Sequence, residues 1–365
     1  MKISEIIGYL ETLAPPQLQE SYDNSGLLTG NSDWECNGIV ITLDATEPVV
    51  QEAINKNCNL VIAHHPILFR GIKRITGGDY VQKTLIASIK NDIAVYAIHT
   101  NLDNVINGVS GKMAEILGLV NIEVLSPKED SLEKLYTFVP VGDAEKVRKA
   151  IFAAGGGNIG KYAECSFNVE GIGTYTAQPG ADPFIGKIGV PQSTTEIKIE
   201  TIFPSFLRKT VIDALLSAHP YEEVAYDIIK VENPYQQAGA GAIGSLPQPM
   251  EETAFLTHLK QKFNLPLVRH TPLLNKKVRN VALCGGAGSF LISKALAAKA
   301  DVFITGDIKY HEFFDANGKV VIADIGHFES EQFTIELLHQ KLAEKFPTFA
   351  VLKSGTQTNP VNYYF

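Results

Sequence analysis

The sequence predicts an α/β protein in which a discontinuous α/β domain is interrupted by an inserted ferredoxin-like module of α+β structure. Strand and helix patterns alternate from residue 38 to residue 119, and the alternation returns in the last third of the chain. The section between them follows a βαββαβ order, which is that of a ferredoxin-like module. Alternating strands and helices indicate a parallel or mixed sheet covered by helices. The expected boundaries are 1–128 and 236–365 for the outer domain and 129–235 for the insert.

The first half of the outer domain opens with an amphipathic helix, since Ile3, Ile6, Ile7 and Leu10 share one helical face. The strand and helix segments that follow are GIVITLD, EPVVQEAINKN, NLVIA, DYVQKTLIASIKN, IAVYAIH and GVSGKMAEILGL. The second half repeats the pattern with RNVALCGG, SFLISKALAAK, DVFITGD and KVVIADIG. A long amphipathic helix from about Glu329 to Lys345 completes it.

The insert has its own strands and helices. Its expected elements are the strand EKLYTFVPVG, the helix DAEKVRKAIFAAGG, apolar-alternating stretches around CSFNVEG and GTYTAQ, the strand TEIKIETIF, the helix FLRKTVIDALLSAH and the strand EEVAYDIIKV. Its flanks, LSPKEDSLE and ENPYQQAGAG, are polar or rich in Pro and Gly, as linkers are.

Composition limits the class of protein. Charged residues make up 20% of the 365 residues and the hydrophobic class 45%, which is ordinary for a soluble globular protein. The formal net charge of -8 argues against a protein that tracks nucleic-acid phosphates. The N-terminal helix lacks the features of a signal peptide, and no apolar run approaches the ~20 residues that span a bilayer. We therefore expect a cytoplasmic protein with neither membrane nor nucleic-acid partners.

The cysteines indicate which donors a metal would use. Cys36, Cys58, Cys165 and Cys284 are scattered without a CxxC pair, so we expect them to be reduced and structural. A metal ion would therefore depend on nitrogen and oxygen ligands.

Three sets of such ligands follow apolar strands. In NLVIAHHPILF the strand ends at His64 and His65, because Pro66 cannot continue a ladder of backbone hydrogen bonds. HTNLD places His99 and Asp103 after the next strand, and IGHFESE places His327 and Glu331 four residues apart at a helix start. The carboxyl ends of parallel strands meet at one edge of a sheet, where α/β proteins bind ligands.

His64, His65, Asp103, His327 and Glu331 supply three imidazoles and two carboxylates. These are too few for two closed sites, but they suit two divalent ions that share a bridging carboxylate or water and keep open positions. Zn, Fe, Mn and Co all accept such ligands. The alternative is that the five are unrelated surface or capping residues.

Other signals are weaker. AAGGGNIGKY is expected to be a turn rather than a phosphate cradle, while the glycines of CGGAGSF suit either a phosphate at a helix start or a tight strand-to-helix turn. His219, Glu222 and Glu223 offer a less favoured second metal site. Asp307 and His311, four apart after a strand, are expected to orient a ligand or contact substrate.

Several of these motifs resemble the Nif-three-like family, whose members are often labelled GTP cyclohydrolase I type 2 homologues. The motifs are SYDNSGLLTG, VIAHHPILF, AIHTNLDN, ADIGHFESE and SGTQTNP. The resemblance implies a dinuclear metal centre built from the five residues above, assembly into a hollow hexamer, and GTP ring opening. Longer members of the family carry a middle insertion, as this chain does.

The resulting hypothesis is metal-assisted hydrolysis of a nucleotide or phosphoester. We expect Glu331 to bridge the ions and His99 to be the catalytic acid or base, or a group that orients a ligand. The alternative hypothesis is a non-enzymatic metal-binding or regulatory assembly, in which the insert recruits a partner.

Overall fold

The computed structural model describes residues 1–364 and divides the chain into two compact units. Unit 1 comprises Met1–Pro127 together with the chain from Gln237 onward, and unit 2 comprises Lys128–Gln236. Unit 1 contains two sheets with helices on their faces, and unit 2 contains one sheet. The α/β prediction is therefore confirmed.

Strands and helices alternate along much of the chain. The strands are β1 (Gly26–Thr29), β2 (Ile39–Asp44), β3 (Leu60–His65), β4 (Ala94–Ala97), β5 (Val120–Lys128), β6 (Leu132–Pro140), β7 (Phe167–Thr176), β8 (Pro191–Pro204), β9 (Tyr226–Val231), β10 (Tyr235–Glu251), β11 (Arg269–His270), β12 (Lys277–Ala287), β13 (Val302–Gly306), β14 (Val321–Asp324) and β15 (Val351–Lys353). The α-helices are α1 (Ile3–Leu13), α2 (Glu47–Asn55), α3 (Tyr80–Lys90), α4 (Thr100–Asp103), α5 (Val109–Leu117), α6 (Ala144–Ala153), α7 (Arg208–Ala218), α8 (Glu252–Lys262), α9 (Ile292–Ala297), α10 (His327–Glu331) and α11 (Thr334–Lys345). Short 3-10 helices cover Pro16–Leu18, Ser205–Leu207, Ser289–Leu291 and Tyr310–Ala316.

The first sheet of unit 1 has the strand order β1-β4-β3-β2-β15. Its strands β15, β2, β3 and β4 run parallel, and β1 pairs antiparallel to β4 at one edge. Side chains along β2 point alternately to the two faces of the sheet, and both faces are buried. Ile39 and Ile41 pack with α1 and α11, whereas Val40 packs with α2 and α3. Because both faces are covered, the carboxyl edge of the strands is left as the place for a site.

The second sheet of unit 1 has the order β11-β14-β13-β12-β10-β5. Its strands β12, β13 and β14 are parallel, β10 runs antiparallel to β12, and β11 runs antiparallel to β14. Helices α5 and α8 cover one face and α9 the other. The two halves exchange strands, since β15 joins the first sheet and β5 the second.

Unit 2 has the element order β6, α6, β7, β8, α7, β9 and an antiparallel sheet of order β7-β8-β6-β9. Its helices bury Val147, Ile151, Val211 and Leu215 against one face of the sheet. The two stretches predicted around CSFNVEG and GTYTAQ form the single strand β7.

The predicted linkers and the last helix differ from the structure. LSPKEDSLE contributes to β5 and β6, and ENPYQQAGAG enters β10, so neither is a free linker. Residues of ENPYQQAGAG are held instead by backbone hydrogen bonds to the segment after α4, since Ile106 N–H donates to the Gln237 carbonyl at 3.1 Å and Gly239 N–H donates to the Asn104 carbonyl at 2.8 Å. The helix predicted from Glu329 to Lys345 is two helices, α10 and α11.

Two further findings concern the class of protein. Within residues 1–364, no helix has both the length and the apolarity that a membrane crossing requires. The cysteines Cys36, Cys58, Cys165 and Cys284 are all free, and three of them are buried.

Candidate metal centre

The adjacent histidines end strand β3, and each is held by a different neighbouring strand. His64 Nδ1–H donates to the carbonyl oxygen of Ile98, which follows β4, at 2.8 Å. His65 Nδ1–H donates to Oδ1 of Asp44, the last residue of β2, at 2.8 Å. Because β3 lies between β2 and β4, the two imidazoles are fixed from opposite sides of the strand. Each ring is left with Nε2 for the site.

His327 and Glu331 lie one helical turn apart on α10 and enter the same site. His327 Nδ1–H donates to Asp307 Oδ2 at 2.8 Å. Its Nε2 lies 3.1 Å from Glu331 Oε2 and 3.3 Å from His65 Nε2. Glu331 is buried, and its Oε2 is also 2.9 Å from His65 Nε2. The structure thus brings His65, His327 and Glu331 into direct contact.

Asp103 and His64 face each other without a hydrogen bond. His64 Nε2 lies 3.6 Å from Asp103 Oδ1 and 3.8 Å from Glu331 Oε1. Both His64 Nε2 and Asp103 Oδ1 are buried, and neither has a hydrogen-bond partner among residues 1–364. Such a buried polar atom costs about 1–3 kcal/mol. A cation between these two atoms would satisfy both.

The donor spacing suits a metal ion. One ligand atom each from His64, His65 and Glu331 lies within 4.8 Å of the other two. Donors about 2.1 Å from a shared ion at tetrahedral angles are about 3.4 Å apart, close to the separations within this cluster. This His/Glu cluster could therefore hold a metal ion.

His99 lies against the cluster but is held differently. Its ring centroid is 5.3 Å from that of His64 and 5.4 Å from that of His65. Its Nδ1–H donates to Asp23 Oδ1 at 2.7 Å, and Thr100 donates its N–H and hydroxyl to Asp23 Oδ2. His99 is thus an imidazole with an oriented ring beside the candidate ligands.

Sequence reasoning missed Asp23 and Asp44. Asp44 carried a usable signal, because it is an acid at the carboxyl end of a parallel strand beside the histidine strand. Asp23 lies on an irregular segment, where spacing predicts no partner. Thr358, in the C-terminal SGTQTNP motif, donates its hydroxyl to Asp44 Oδ2 at 2.9 Å and so fixes the carboxylate that orients His65.

The glycines of CGGAGSF serve the same site. Gly286 has φ +61°, and a Cβ there would collide with the Glu331 carboxylate. Its N–H donates to the Ser330 hydroxyl at 2.9 Å. The glycine therefore admits Glu331 close to the backbone of β12, which explains this motif without a phosphate.

Of the remaining weaker candidates, only Asp307 lies at the candidate metal centre within residues 1–364. In unit 2, His219 donates Nε2–H to the Phe138 carbonyl and accepts the Tyr221 N–H at Nδ1, so neither ring nitrogen is free for a metal. Asp307 accepts the hydrogen bond from His327 Nδ1–H and so orients a proposed ligand, which is one of the two roles expected of it. His311 instead contacts the rings of Tyr310 and Phe314. AAGGGNIGKY ends α6 and continues as a turn.

The carboxylates give the site a negative field. Burial lowers the pKa of His65, but hydrogen bonds to Asp44 and Glu331 outweigh it and raise that pKa to about 10. For His327, burial is likewise outweighed by Glu331 and Asp307, and the pKa rises to about 9. Burial raises the pKa of Asp103 to about 7. Burial would also raise the pKa of Glu331, yet the surrounding histidines hold it well below its usual value. Such a site favours cations.

Comparison with known proteins shows the family of this chain. The sequence profile of the family described as Duf34/NIF3 (NGG1p interacting factor 3) matches residues 1–360. The chain belongs to the DUF34/NIF3 family. Two relatives, from Bacillus subtilis (strain 168) and Halalkalibacterium halodurans, are each 38% identical and are named GTP cyclohydrolase 1 type 2 homolog. The alignments cover 98% of both chains for the first and 100% for the second.

Two solved structures share the fold of this chain. A Bacillus cereus protein related to NIF3 is 39% identical, with a TM-score of 0.88 over 100% of this chain and 99% of that one. A Staphylococcus aureus protein is 30% identical, with a TM-score of 0.78 over the same shares. The similarity therefore covers both units of this NIF3-family chain.

Proposed function

We propose that this protein is a metal-dependent hydrolase that holds two divalent ions, of Zn, Fe, Mn or Co, and acts on a nucleotide or phosphoester. The observation that carries the proposal is the position of Glu331. Its Oε1 faces His64, beside Asp103, and its Oε2 faces His65 and His327. One carboxylate between two donor sets is the arrangement that a bridging ligand requires.

His99 is the proposed acid or base. Divalent ions held by His64, His65, Asp103, His327 and Glu331 would supply Lewis-acid activation of water and of the substrate. Asp23 holds His99 Nδ1–H, so His99 Nε2 is the atom that accepts or returns a proton. The ring stands beside His64 and His65, where a reacting water or leaving group would be within reach.

The centre opens into a cleft of about 610 Å³, within the usual range for small-molecule sites. Its lining includes Phe69, Arg269, Phe328 and Tyr363 beside the metal-centre residues. Phe69 is 47% exposed and stands edge-on to the His99 ring. Aromatic walls beside a metal centre suit a planar, heterocyclic substrate.

The segment after the histidines carries positive charge. Arg70, Lys73 and Arg74 are exposed and lie between Pro66 and α3. These three residues line a separate cavity that shares Phe69 with the cleft, and Arg269 lies in the cleft itself, 3.3 Å from Asp324. This positive charge favours a substrate with phosphate groups. This preference, and the naming of relatives as GTP cyclohydrolase 1 type 2 homologs, support a nucleotide as the substrate. The other expected properties stay predictions: a cytoplasmic protein that assembles with itself and has no membrane or nucleic-acid partner.

A substrate screen tests the proposal. Protein stripped of metal and then loaded with Zn²⁺, Fe²⁺, Mn²⁺ or Co²⁺ is incubated with GTP, other nucleotides and p-nitrophenyl phosphate between pH 6 and 9. We expect metal-dependent turnover of at least one of them. His99→Gln should lower that turnover by about 10²–10⁴-fold and leave the bound metal unchanged, as loss of an acid or base does.

The alternative is a non-enzymatic metal-binding assembly. A protein that binds two ions per chain and turns over none of these substrates would support that alternative. Metal-dependent turnover that His99→Gln leaves intact would keep the hydrolase but remove His99 from its chemistry.

A further inference from the structure

Unit 2 contains a cavity of about 670 Å³ that shares no lining residue with the metal-centre cleft. It lies against the face of the sheet that is opposite to α6 and α7. The strands contribute Phe138, Val169, Gly171, Gly173, Glu196 and Lys198 to its wall. Its volume is that of a small-molecule site.

The connection between β7 and β8 closes over this face and is held at several points. The Tyr175 hydroxyl donates to the Ile185 carbonyl at 2.6 Å, and the Asp182 N–H donates to Glu222 Oε1 at 2.7 Å. Gly189 N–H donates to the Ala177 carbonyl at 2.8 Å. The β7–β8 connection, fixed by these hydrogen bonds, therefore forms a second wall of the cavity.

Glu196 is a buried carboxylate in the cavity wall. It is only 7% exposed, and the Tyr221 hydroxyl donates to its Oε1 at 2.8 Å. Within the part of the chain that the structure describes, no Lys, Arg or His nitrogen lies within 4 Å of it. The nearby cation Lys198 is 3.5 Å from Glu200 and lies over the ring of Tyr136. A buried charge without a cationic partner is costly, so a bound cation would stabilise it.

The rest of the lining suits a cation that has an apolar surface. Tyr221 lies 6.3 Å from Tyr175 and 6.1 Å from Phe184, measured between ring centroids. Phe138 adds a fourth aromatic ring, and Glu222 and Glu223 add negative charge. Aromatic faces and carboxylates together recognise organic ammonium groups.

We propose that this cavity of unit 2 binds a small organic ammonium cation, with Glu196 as the counter-charge and Phe138, Tyr175, Phe184 and Tyr221 as the surrounding rings. The proposal does not depend on the metal centre, and it assigns unit 2 a ligand of its own.

A matched pair of ligands tests the charge preference. Choline and 3,3-dimethyl-1-butanol have nearly the same shape, but only choline is positively charged, and its quaternary nitrogen cannot coordinate a metal. Isothermal titration calorimetry on the full-length protein should show choline binding at least tenfold more tightly than the alcohol. Equal affinities, or no choline binding up to about 10 mM, would overturn the proposal.

Three variants locate the binding. Glu196→Gln should remove the preference for choline over the alcohol. Gly171→Val should block both ligands, because a Cβ at this strand position meets no atom within 4 Å and so projects into open space without a clash. The control Asp213→Asn removes one exposed acid on α7, which pairs with Lys209, and should change nothing.

Circular dichroism establishes that each variant is folded. If Glu196→Gln does not fold, Gly171→Val still decides the location. Wild-type choline affinity in a folded Gly171→Val protein would place the binding elsewhere and overturn the proposal. If a folded Glu196→Gln protein still bound choline more tightly than the alcohol, Glu196 would not be the counter-charge, and the proposal would be overturned.

Discussion

Four histidines around the candidate metal centre share one arrangement of their rings. In each, Nδ1–H donates to an acceptor, which leaves Nε2 as the atom for a metal or a proton. The donor and acceptor pairs are His64 with Ile98, His65 with Asp44, His99 with Asp23, and His327 with Asp307. Only His64 donates to a backbone carbonyl, so the other three can be tested by replacing a carboxylate.

The first prediction concerns the metal ligands. His64→Ala and Glu331→Ala should each remove most of the bound metal, because Glu331 contacts both donor sets and His64 Nε2 is buried with no other partner. Inductively coupled plasma mass spectrometry measures the metal per chain. His311→Ala is the control, since His311 follows a strand as the proposed ligands do, but its ring packs against Tyr310 and Phe314. Wild-type metal content in both ligand variants would show that the site is elsewhere.

The second prediction separates two carboxylates that hold histidines. Asp44→Asn should weaken metal binding by about 10–100-fold, because Asp44 orients a proposed ligand. Asp23→Asn should instead lower turnover and alter its pH profile while the metal content stays unchanged, since Asp23 orients His99. Identical effects of the two substitutions on metal content would contradict the assignment of His99.

At the level of single residues, the sequence predicted those that stand at the ends of regular elements. His64 and His65 end β3 of the first sheet, whereas His327 and Glu331 lie one helical turn apart on α10, after β14 of the second sheet. The sequence thus predicted the strand ends, but it placed them at the edge of one sheet, whereas the structure brings together the strand ends of two sheets. Asp23 could not be predicted, because its contact with His99 crosses 76 residues from an irregular segment. The role of His64, His65, His327 and Glu331 as metal ligands stays a prediction.

Among the elements, the C-terminal SGTQTNP segment is fixed to helix α2 by one carboxylate. Glu52 accepts hydrogen bonds from the Ser354 hydroxyl at 2.6 Å, the Gly355 N–H at 2.8 Å and the Thr356 hydroxyl at 2.7 Å. The same segment then reaches Asp44 through Thr358. Glu52 therefore supports the group that orients His65, although it touches no candidate ligand.

The third prediction follows from the pKa of Glu52. Burial alone would raise this pKa, but bonds from Gly355, Lys56, Ser354 and Thr356 outweigh it and lower the pKa to about 2 from 4.5. Because the folded-state pKa is the lower one, the stabilisation is fully present above pH 4.5 and is lost as the pH falls towards 2.

Glu52→Gln should therefore lower the free energy of unfolding by about 1–3 kcal/mol at pH 7, as loss of a charged acceptor does. The difference from wild type should shrink below pH 4.5, as measured by urea unfolding at pH 7, 4 and 3. Glu115→Gln, which removes an exposed acid on α5, should have little effect. A difference that is constant at all three pH values would contradict the stated cause.

The elements also show where sequence patterns stop being informative. Buried parallel strands such as β3 and β13 were predictable, because their apolar runs are short and continuous. Strand β10 was not, since its Gly- and Pro-rich sequence is typical of turns, and its conformation depends on pairing with β12. Strand β15 has only three residues, and its place beside β2 is set by a contact across more than 300 positions.

The fourth prediction concerns the whole molecule and the insert. Replacing Leu132–Asn233 by a short Gly/Ser linker should leave a folded protein that binds metal. The core of unit 2 consists only of its own residues, and the candidate ligands all belong to unit 1. Metal analysis and thermal unfolding of the shortened protein measure both properties. An insoluble or metal-free product would show that the outer domain needs the insert.

The fifth prediction is the oligomeric state. The family resemblance implies a homohexamer, with a mass six times the 39.8 kDa of one chain. Exposed aromatic side chains on unit 1, Tyr310 at 73% and Phe314 at 68%, are the kind of residue that subunit contacts bury. Native mass spectrometry gives the number of chains directly. A monomer at micromolar concentration would exclude a stable hexamer.

The order of the donors along the chain has a consequence for protein synthesis. His64, His65 and Asp103 emerge from the ribosome before unit 2, whereas His327 and Glu331 emerge after it. Strand β15, which completes the first sheet beside β2, emerges later still. A nascent chain therefore presents two histidines and an aspartate without the carboxylate that joins them. Translation that stops before residue 327 yields a product with three of the five proposed donors, so we expect full metal loading only in chains that extend past Glu331.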